Sequence, residues 1–354
     1  MRARAPGKVI LSGEHSVVYG APALAVAIQK YTYVSFKPVT ESKTINTLFA
    51  GISTGVHYPL HALSSLKDKL DHRFDQFIKG DLPVRGIMSQ PDDLLVYAMT
   101  TLMHHLPVPG RVSSSSYLPM PGRLLSESDL PLGAGMGSSA SAIAATLVLF
   151  EHLLEKPLAL DQRFDMIRFC ERLQHGRGSA IDAATVTYGG LNYVQAGKVT
   201  SVDQPLGQHW YWIFTGTPAV STGECVQSVR GLYADDAELW NSFAAITRGL
   251  ADCFSEVTAS LNRHPQVDLV KENHRLLRRI GVVPESAADL VHAIEATGGA
   301  AKVSGAGAHR GEFGGLLVAY QPDNEAMLRT MSEFPRCTWG AIEEDTKGAC
   351  YVGD

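Results

Sequence analysis

No stretch of this chain carries a block of one charge: its 31 lysines and arginines are interspersed with 36 aspartates and glutamates, for a formal net charge of -5. That argues against the basic face by which proteins hold nucleic acid or an anionic membrane, so any bound anion must be gripped locally. Cysteine is sparse as well. The five present (Cys170, Cys225, Cys253, Cys337 and Cys350) are odd in number, far apart and never spaced CxxC. This argues against a zinc or disulfide framework and predicts reduced thiols in a cytoplasmic protein. Long apolar runs are missing too. Nothing approaches the length of a membrane span, and in MRARAPGKVILSGEHS the apolar run from Val9 to Leu11 is too short for a signal-peptide core. Neither an internal repeat of about 20 to 50 residues nor a low-complexity tract is found.

What remains is an ordinary globular composition: 354 residues, 45% hydrophobic and 19% charged, with 33 glycines and 18 prolines. A chain of this length usually divides into two domains. Residues 8-KVIL-11 read as a strand and 12-SGEHSVVYG-20 as the loop leaving it. Apolar residues at 94, 95, 98, 99, 102 and 106 keep a helical period through 91–106, and the Pro- and Ser-rich stretch 107–123 reads as a surface connection. Helices are predicted over 139–156, 160–174, 236–261 and 286–297, and strands over 210–216 and 316–320. The polar stretch 195–208 is the candidate boundary, giving an N-terminal domain over 1–205 and a C-terminal domain over 206–354.

The densest feature is 131-PLGAGMGSSASA-142, in which three glycines alternate with small residues and run into two serines. A glycine-rich turn opening a helix exposes backbone N–H groups, and the helix dipole adds about half a positive charge there, so phosphate is the natural guest. The serine hydroxyls can cap the helix, or reach a phosphate oxygen or a magnesium ion. The run fits neither GxxxxGK[ST] nor GxGxxG with its downstream acid, which removes the P-loop and dinucleotide-fold readings. On its own it is also explained by a tight turn with a serine cap.

Three motifs in this order, 5-APGKVILSGEHSVVYG-20, 131-PLGAGMGSSAS-141 and 171-ERLQHGRGSAID-182, resemble the GHMP kinase superfamily, and within it the mevalonate kinases most. The resemblance covers residues 1 to about 190 and is weaker beyond. It implies a two-domain α+β fold: an N-terminal ATP-binding domain of the ribosomal protein S5 domain 2-like type with a mixed sheet, a ferredoxin-like C-terminal domain, and a cleft between them. It implies ATP and Mg2+ as cofactors and a small-molecule substrate as partner, with neither nucleic acid nor membrane involved; a homodimer is the one assembly considered. The activity implied is phosphorylation of a primary alcohol, with mevalonate the favoured acceptor and a sugar, homoserine or another hydroxy acid as the alternative. A non-catalytic nucleotide-binding homologue is the contrasting reading.

Individual residues follow from both lines. On a helical wheel Glu171 falls between Phe164 and Ile167, so a carboxylate lies on the apolar stripe and needs a partner: an ion pair with Arg177, or a metal ion shared with a loop hydroxyl. Asp182 lies among small residues, as a helix cap or as a carboxylate orienting a hydroxyl and accepting its proton. Lys8 is a solvated strand end, or a cation holding Asp182 ionised. The resemblance implies the second role for each: Asp182 as base, Lys8 beside it, Ser139 and Glu171 on Mg2+, and the run Gly133, Ala134, Gly135, Met136, Gly137, Ser138, Ser139 around the phosphates. It assigns Glu14, His15 and Thr222 to the acceptor, His15 as a donor to one of its oxygens. Two departures stand out. Val220 occupies the place of an arginine found in animal mevalonate kinases, and the usually glycine-only third motif appears here as 305-GAGAHRGEFGG-315, with His309 and Arg310 inserted.

Overall fold

The computed structural model describes residues 1–106, 121–131, 133–254 and 265–353. The first unit begins with strands β1 (Arg2–Ser12), β2 (Ala23–Pro38), β3 (Thr44–Phe49) and β4 (Val56–Pro59). Helices α1 (Leu63–Lys79) and α2 (Asp93–His105) and strand β5 (Gly122–Ser128) follow. Helices α3 (Ser138–Leu153), α4 (Leu160–His175) and α5 (Ala180–Tyr188) and the hairpin β6 (Leu191–Gln195) and β7 (Lys198–Val202) complete it. The expected surface connection at 107–123 falls outside the described residues up to 120, and its last two residues already belong to β5.

The second unit holds β8 (Trp210–Phe214), α6 (Thr222–Tyr233), α7 (Ala237–Asp252), α8 (Pro265–Arg279) and α9 (Glu285–Ala296). It continues with β9 (Ala300–Val303), β10 (Leu316–Tyr320), α10 (Asn324–Ser332) and β11 (Thr338–Ala341). The predicted helix over 236–261 is α7 as far as Asp252; residues 255–261 lie outside the described set. The last strand, β12 (Cys350–Gly353), returns to pair with β1, so the chain's far end edges the first sheet.

Two sheets result. The larger runs β12-β1-β2-β5-β3-β4, with β6 and β7 added beside β2, and it is mixed because β3 and β5 are parallel while the other pairs are antiparallel. The smaller runs β11-β8-β10-β9, all antiparallel. Numbered within the unit that order is 4-1-3-2, the ferredoxin-like arrangement, with its helices stacked against the sheet.

Helical periodicity correctly located α2 but understates its burial. Every residue from Asp93 to Met103 is buried, because α2 lies in the middle of the helical layer, packed against α1, α3 and α4. Helix α3 behaves as its small first turn requires: Ala140, Ser141, Ala144 and Ala145 are buried, and Ser141 Oγ donates to the Ala5 carbonyl of β1 at 2.7 Å. Larger side chains there would push helix and strand apart.

A separate apolar cluster joins the two units. Val9 and Leu11 of β1 and Leu24 and Val26 of β2 pack with Trp210 and Trp212 of β8 and Leu316 and Val318 of β10. Burying each large side chain in it contributes about 1.5–3 kcal/mol. The seam thereby packs the two sheets against each other.

His274, on the buried face of α8, leads to an expected pH dependence. Burial, and then the positive charges of Arg278, Lys302 and Arg275, push its imidazole from 6.5 down to about 4. Between those values the unfolded chain binds the extra proton and the folded chain does not, so stability is full above about 6.5 and falls as the pH drops toward 4. Thermal unfolding of the protein and of His274→Gln should show a gap at pH 7 that narrows at pH 4.5. A gap independent of pH would remove His274 from the account.

Candidate active site

The glycine loop solves two packing demands at once. Gly133, Gly135 and Gly137 have φ of +71°, +79° and +74°, the left-handed region that side chains disfavour. Between them, Ala134 and Met136 point into the apolar seam beside Val9, Leu11 and Leu316. The alternation therefore anchors the loop through every second residue and leaves a bare main chain in between. The amide of Lys8 donates to Met136 O at 2.9 Å, fastening the loop to β1. At the loop's end Gly137 is the N-cap of α3 and supplies no side chain to satisfy the helix's first N–H groups. Those groups can receive an anion.

Beside this cradle lies a charged pair. Lys8 Nζ is 3.1 Å from Asp182 Oδ1, the lysine side chain 5% exposed and the aspartate 19%. The register of β1 against β2 shifts between Pro6 and Gly7. The shift puts Ile10 into the same helix-side core as Ala3 and Ala5, and Lys8, two residues before Ile10, shares that face. Asp182 comes from the first turn of α5, where its amide is capped by Ser179 Oγ at 3.2 Å. The capping role that the sequence left open for Asp182 is thus taken by Ser179. Asp182 Oδ1 is buried against Lys8 and accepts no aligned hydrogen bond, while the side chain as a whole stays 19% exposed, so the carboxylate can be approached from its open side. A Cβ on Gly137 would sit 3.5 Å from that same oxygen, which places the loop, the lysine and the aspartate in one spot.

Glu171 is fully buried on α4. It accepts from Ser139 Oγ at 2.8 Å and from the Ser179 amide at 3.2 Å. Its partners are therefore these two donors, in place of the ion pair with Arg177. Burial first, and then the negative charge of Asp182, push its carboxyl up to about 8, against the lowering effect of those hydrogen bonds and Lys8. A carboxyl that ionises so reluctantly, beside a hydroxyl and a second carboxylate, is a fitting place for a hard divalent cation, which would displace its proton. Among the described residues no group of three or more His, Cys, Asp or Glu is placed to hold a metal ion.

The residues assigned to the acceptor, Glu14, His15 and Thr222, differ in their surroundings. Glu14 is ion-paired with Lys302, and both side chains are buried. His15 is buried with its Nε2–H donating to Ala306 O at 2.9 Å, while Nδ1 has no partner. Burial lowers its pKa against the pull of that carbonyl, and the N–H expected to reach a substrate oxygen is spent on Ala306 O, so the nitrogen the neutral ring still offers is an acceptor in place of the expected donor. Thr222 is exposed at the first position of α6, and three residues on Cys225 Sγ reaches the same Ala306 O at 3.1 Å. Val220 is packed into the core of the second unit. In the third loop Arg310 pairs with Glu224 of α6 at 2.8 Å. Ser138 begins α3 next to Ser139.

Two residues near this centre escaped sequence reasoning. Lys302 had a readable signal, a lysine inside the otherwise small and apolar strand 300-AAKV-303. His175, at the end of α4, feels the charges of both Asp182 and Lys8, and its pKa is lowered chiefly by desolvation; nothing in the local sequence marked it.

Such an arrangement can hold a run of phosphates by main chain and bring a hydroxyl against a carboxylate, which is the equipment of a phosphotransferase. Comparison with known proteins agrees. The model of the GHMP kinases N terminal domain matches residues 95–190. A mevalonate kinase of Pyrococcus abyssi is 30% identical, over 93% of this chain and 90% of its own length. Among solved structures, a crystal structure of mevalonate kinase superposes with a TM-score of 0.77 at 18% identity, covering 98% of this chain and all of its own. The Methanococcus jannaschii mevalonate kinase superposes with 0.75 at 19% identity, covering 100% of this chain and 98% of its own. The chain belongs to the GHMP kinase family, and within it is similar to the mevalonate kinases. No helix among the described residues is long and apolar enough to cross a membrane.

Proposed function

We propose that the protein is an ATP-dependent kinase that phosphorylates the primary alcohol of mevalonate. The observation that carries the reading is the Lys8–Asp182 pair, 3.1 Å apart, set against Gly137 of the main-chain cradle. The cradle, from Gly133 to Ser139, binds the phosphates of ATP through its amides. Asp182 orients the alcohol and takes its proton as the oxygen attacks the γ-phosphorus and the bond to the ADP leaving oxygen breaks. Lys8 keeps Asp182 ionised at the start and offsets negative charge that develops beside it. Ser139 and Glu171 are the residues that would hold Mg2+, which when bound neutralises charge on the β- and γ-phosphates. The division at residue 205 belongs to the same reading, the first unit carrying phosphate and base, the second carrying Thr222 and the third loop.

The family relationship supports the reaction class, and the relatives' names support the acceptor. A second reading, transfer to a sugar, homoserine or another hydroxy acid, is favoured by one observation: Val220 lies in the apolar core, 7% exposed, where an arginine stands in animal mevalonate kinases. A substrate carboxylate must then find its cation elsewhere. A panel of mevalonate, galactose, homoserine and other hydroxy acids with ADP detection decides between them. Mevalonate should exceed every other acceptor in kcat/KM by about a hundredfold or more. A better acceptor elsewhere in the panel overturns the assignment of mevalonate, and ADP release with none of them overturns the kinase reading.

A further inference from the structure

The ion pair between Glu14 and Lys302 is the most thoroughly desolvated in the described structure, with side-chain exposures of 1% and 0%. It joins the loop after β1 to strand β9, across the seam between the two units. A buried pair of this kind gains little stability over apolar packing, because desolvation consumes most of the Coulomb attraction. It is also incomplete. Lys302 Nζ donates to Glu14 Oε1 and to Val303 O, the latter at 2.8 Å, while Glu14 Oε2 is buried with no partner. The next residue repeats the pattern, for His15 Nδ1 is likewise buried and bare. Two adjacent acceptors without donors, each costing about 1–3 kcal/mol while unsatisfied, indicate a ligand that brings hydroxyl donors. Lys302 is close enough to Lys8 for the charge of Lys8 to lower its pKa, after the larger effect of burial.

We propose that Lys302 is a positioning residue of the acceptor site: by taking Glu14 Oε1 it fixes the carboxylate so that Oε2 is presented to a hydroxyl of the acceptor other than the one phosphorylated. This deepens the kinase reading and rests on it. Lys302 touches neither substrate nor nucleotide in this account and acts through Glu14 alone. The second unit thereby sets the geometry of a loop that belongs to the first.

The test is a double-mutant cycle of Lys302→Met, Glu14→Gln and the two combined, with steady-state kinetics in mevalonate and in ATP. Lys302→Met should raise the KM for mevalonate about tenfold or more, leaving kcat within about threefold and the KM for ATP within about twofold. Because Lys302 works through Glu14, the combined variant should bind mevalonate no worse than Glu14→Gln alone. Should Lys302→Met fail to fold with its carboxylate stranded, the combined variant, which leaves no charge buried, carries the comparison with Glu14→Gln. Additive effects, an unchanged KM for mevalonate, or an equal rise in the KM for ATP would overturn the proposal. Absence of turnover in the unaltered protein is read first and overturns the kinase reading, and this proposal with it.

Discussion

Asp182→Asn is expected to lower the rate of phosphoryl transfer by about 10²–10⁴ while nucleotide affinity stays within a few-fold. Asparagine keeps the shape of the side chain but can neither accept the proton of the alcohol nor balance Lys8. In the proposed reading the nucleotide, by contrast, is held by main-chain amides of the glycine loop, which do not depend on the Asp182 charge. Two electrostatic consequences oppose each other in the folded protein. Lys8, nearly buried, loses a partner 3.1 Å away, and Glu171 is relieved of a neighbouring negative charge that raises its pKa. Lys8 also lowers the pKa of Glu171, so the two can compensate in part, and the net loss of stability should stay below the about 3–5 kcal/mol of a fully stranded buried charge. The experiment needs kcat, a fluorescent-nucleotide Kd and a thermal midpoint on the same preparation. If the Kd weakens as much as kcat falls, Asp182 serves the nucleotide and the assignment of the base is wrong; an unchanged kcat would be equally damaging.

Sequence reasoning reached the parts of this centre whose constraints are local. The glycines of the loop are visible as an alternation, and the structure shows why: residues 133, 135 and 137 all need positive φ, while 134 and 136 need apolar side chains for the seam. Glu171 is visible because a helix repeats every 3.6 residues, so a carboxylate on the apolar stripe can be found by counting. The resemblance then supplied the pairing of Lys8 with Asp182, which no local pattern could give. What stayed hidden is what tertiary closure creates. Glu14 and Lys302 are 288 residues apart in sequence, and His15 and Ala306 are 291 apart. Their contacts depend on how the ferredoxin-like sheet docks onto β1. The return of β12 to the first sheet was unreadable for the same reason: a four-residue strand at the chain's end has no feature that names its partner. The burial of α2 on all sides from Asp93 to Met103 was missed because periodicity reports one apolar face, whereas position within a layer decides the others.

A methyl group at Gly137 tests the cradle itself. Gly137→Ala meets two obstacles: a φ of +74°, which costs an alanine about 1–2 kcal/mol, and a Cβ placed 3.0 Å from Lys8 Cγ and 3.5 Å from Asp182 Oδ1. The first obstacle weakens the fold only. The second acts on chemistry, because Lys8 is held between the loop and Asp182 and can yield only by moving its ammonium away from the carboxylate. The shift required is a few tenths of an ångström, less than the misplacement of about 1 Å that is worth roughly 10² in rate, so turnover should drop by up to about tenfold even at temperatures where the variant is fully folded. Gly80→Ala separates the two effects. Gly80 ends α1 with φ +84° and has open space where a Cβ would stand, so it carries the backbone cost without the crowding. Both variants should lose comparable stability, and Gly137→Ala alone should lose turnover and nucleotide affinity. Equal activity in the two folded variants would mean that the phosphates do not lie against this turn, and the proposed placement of ATP along residues 133–139 would have to be abandoned.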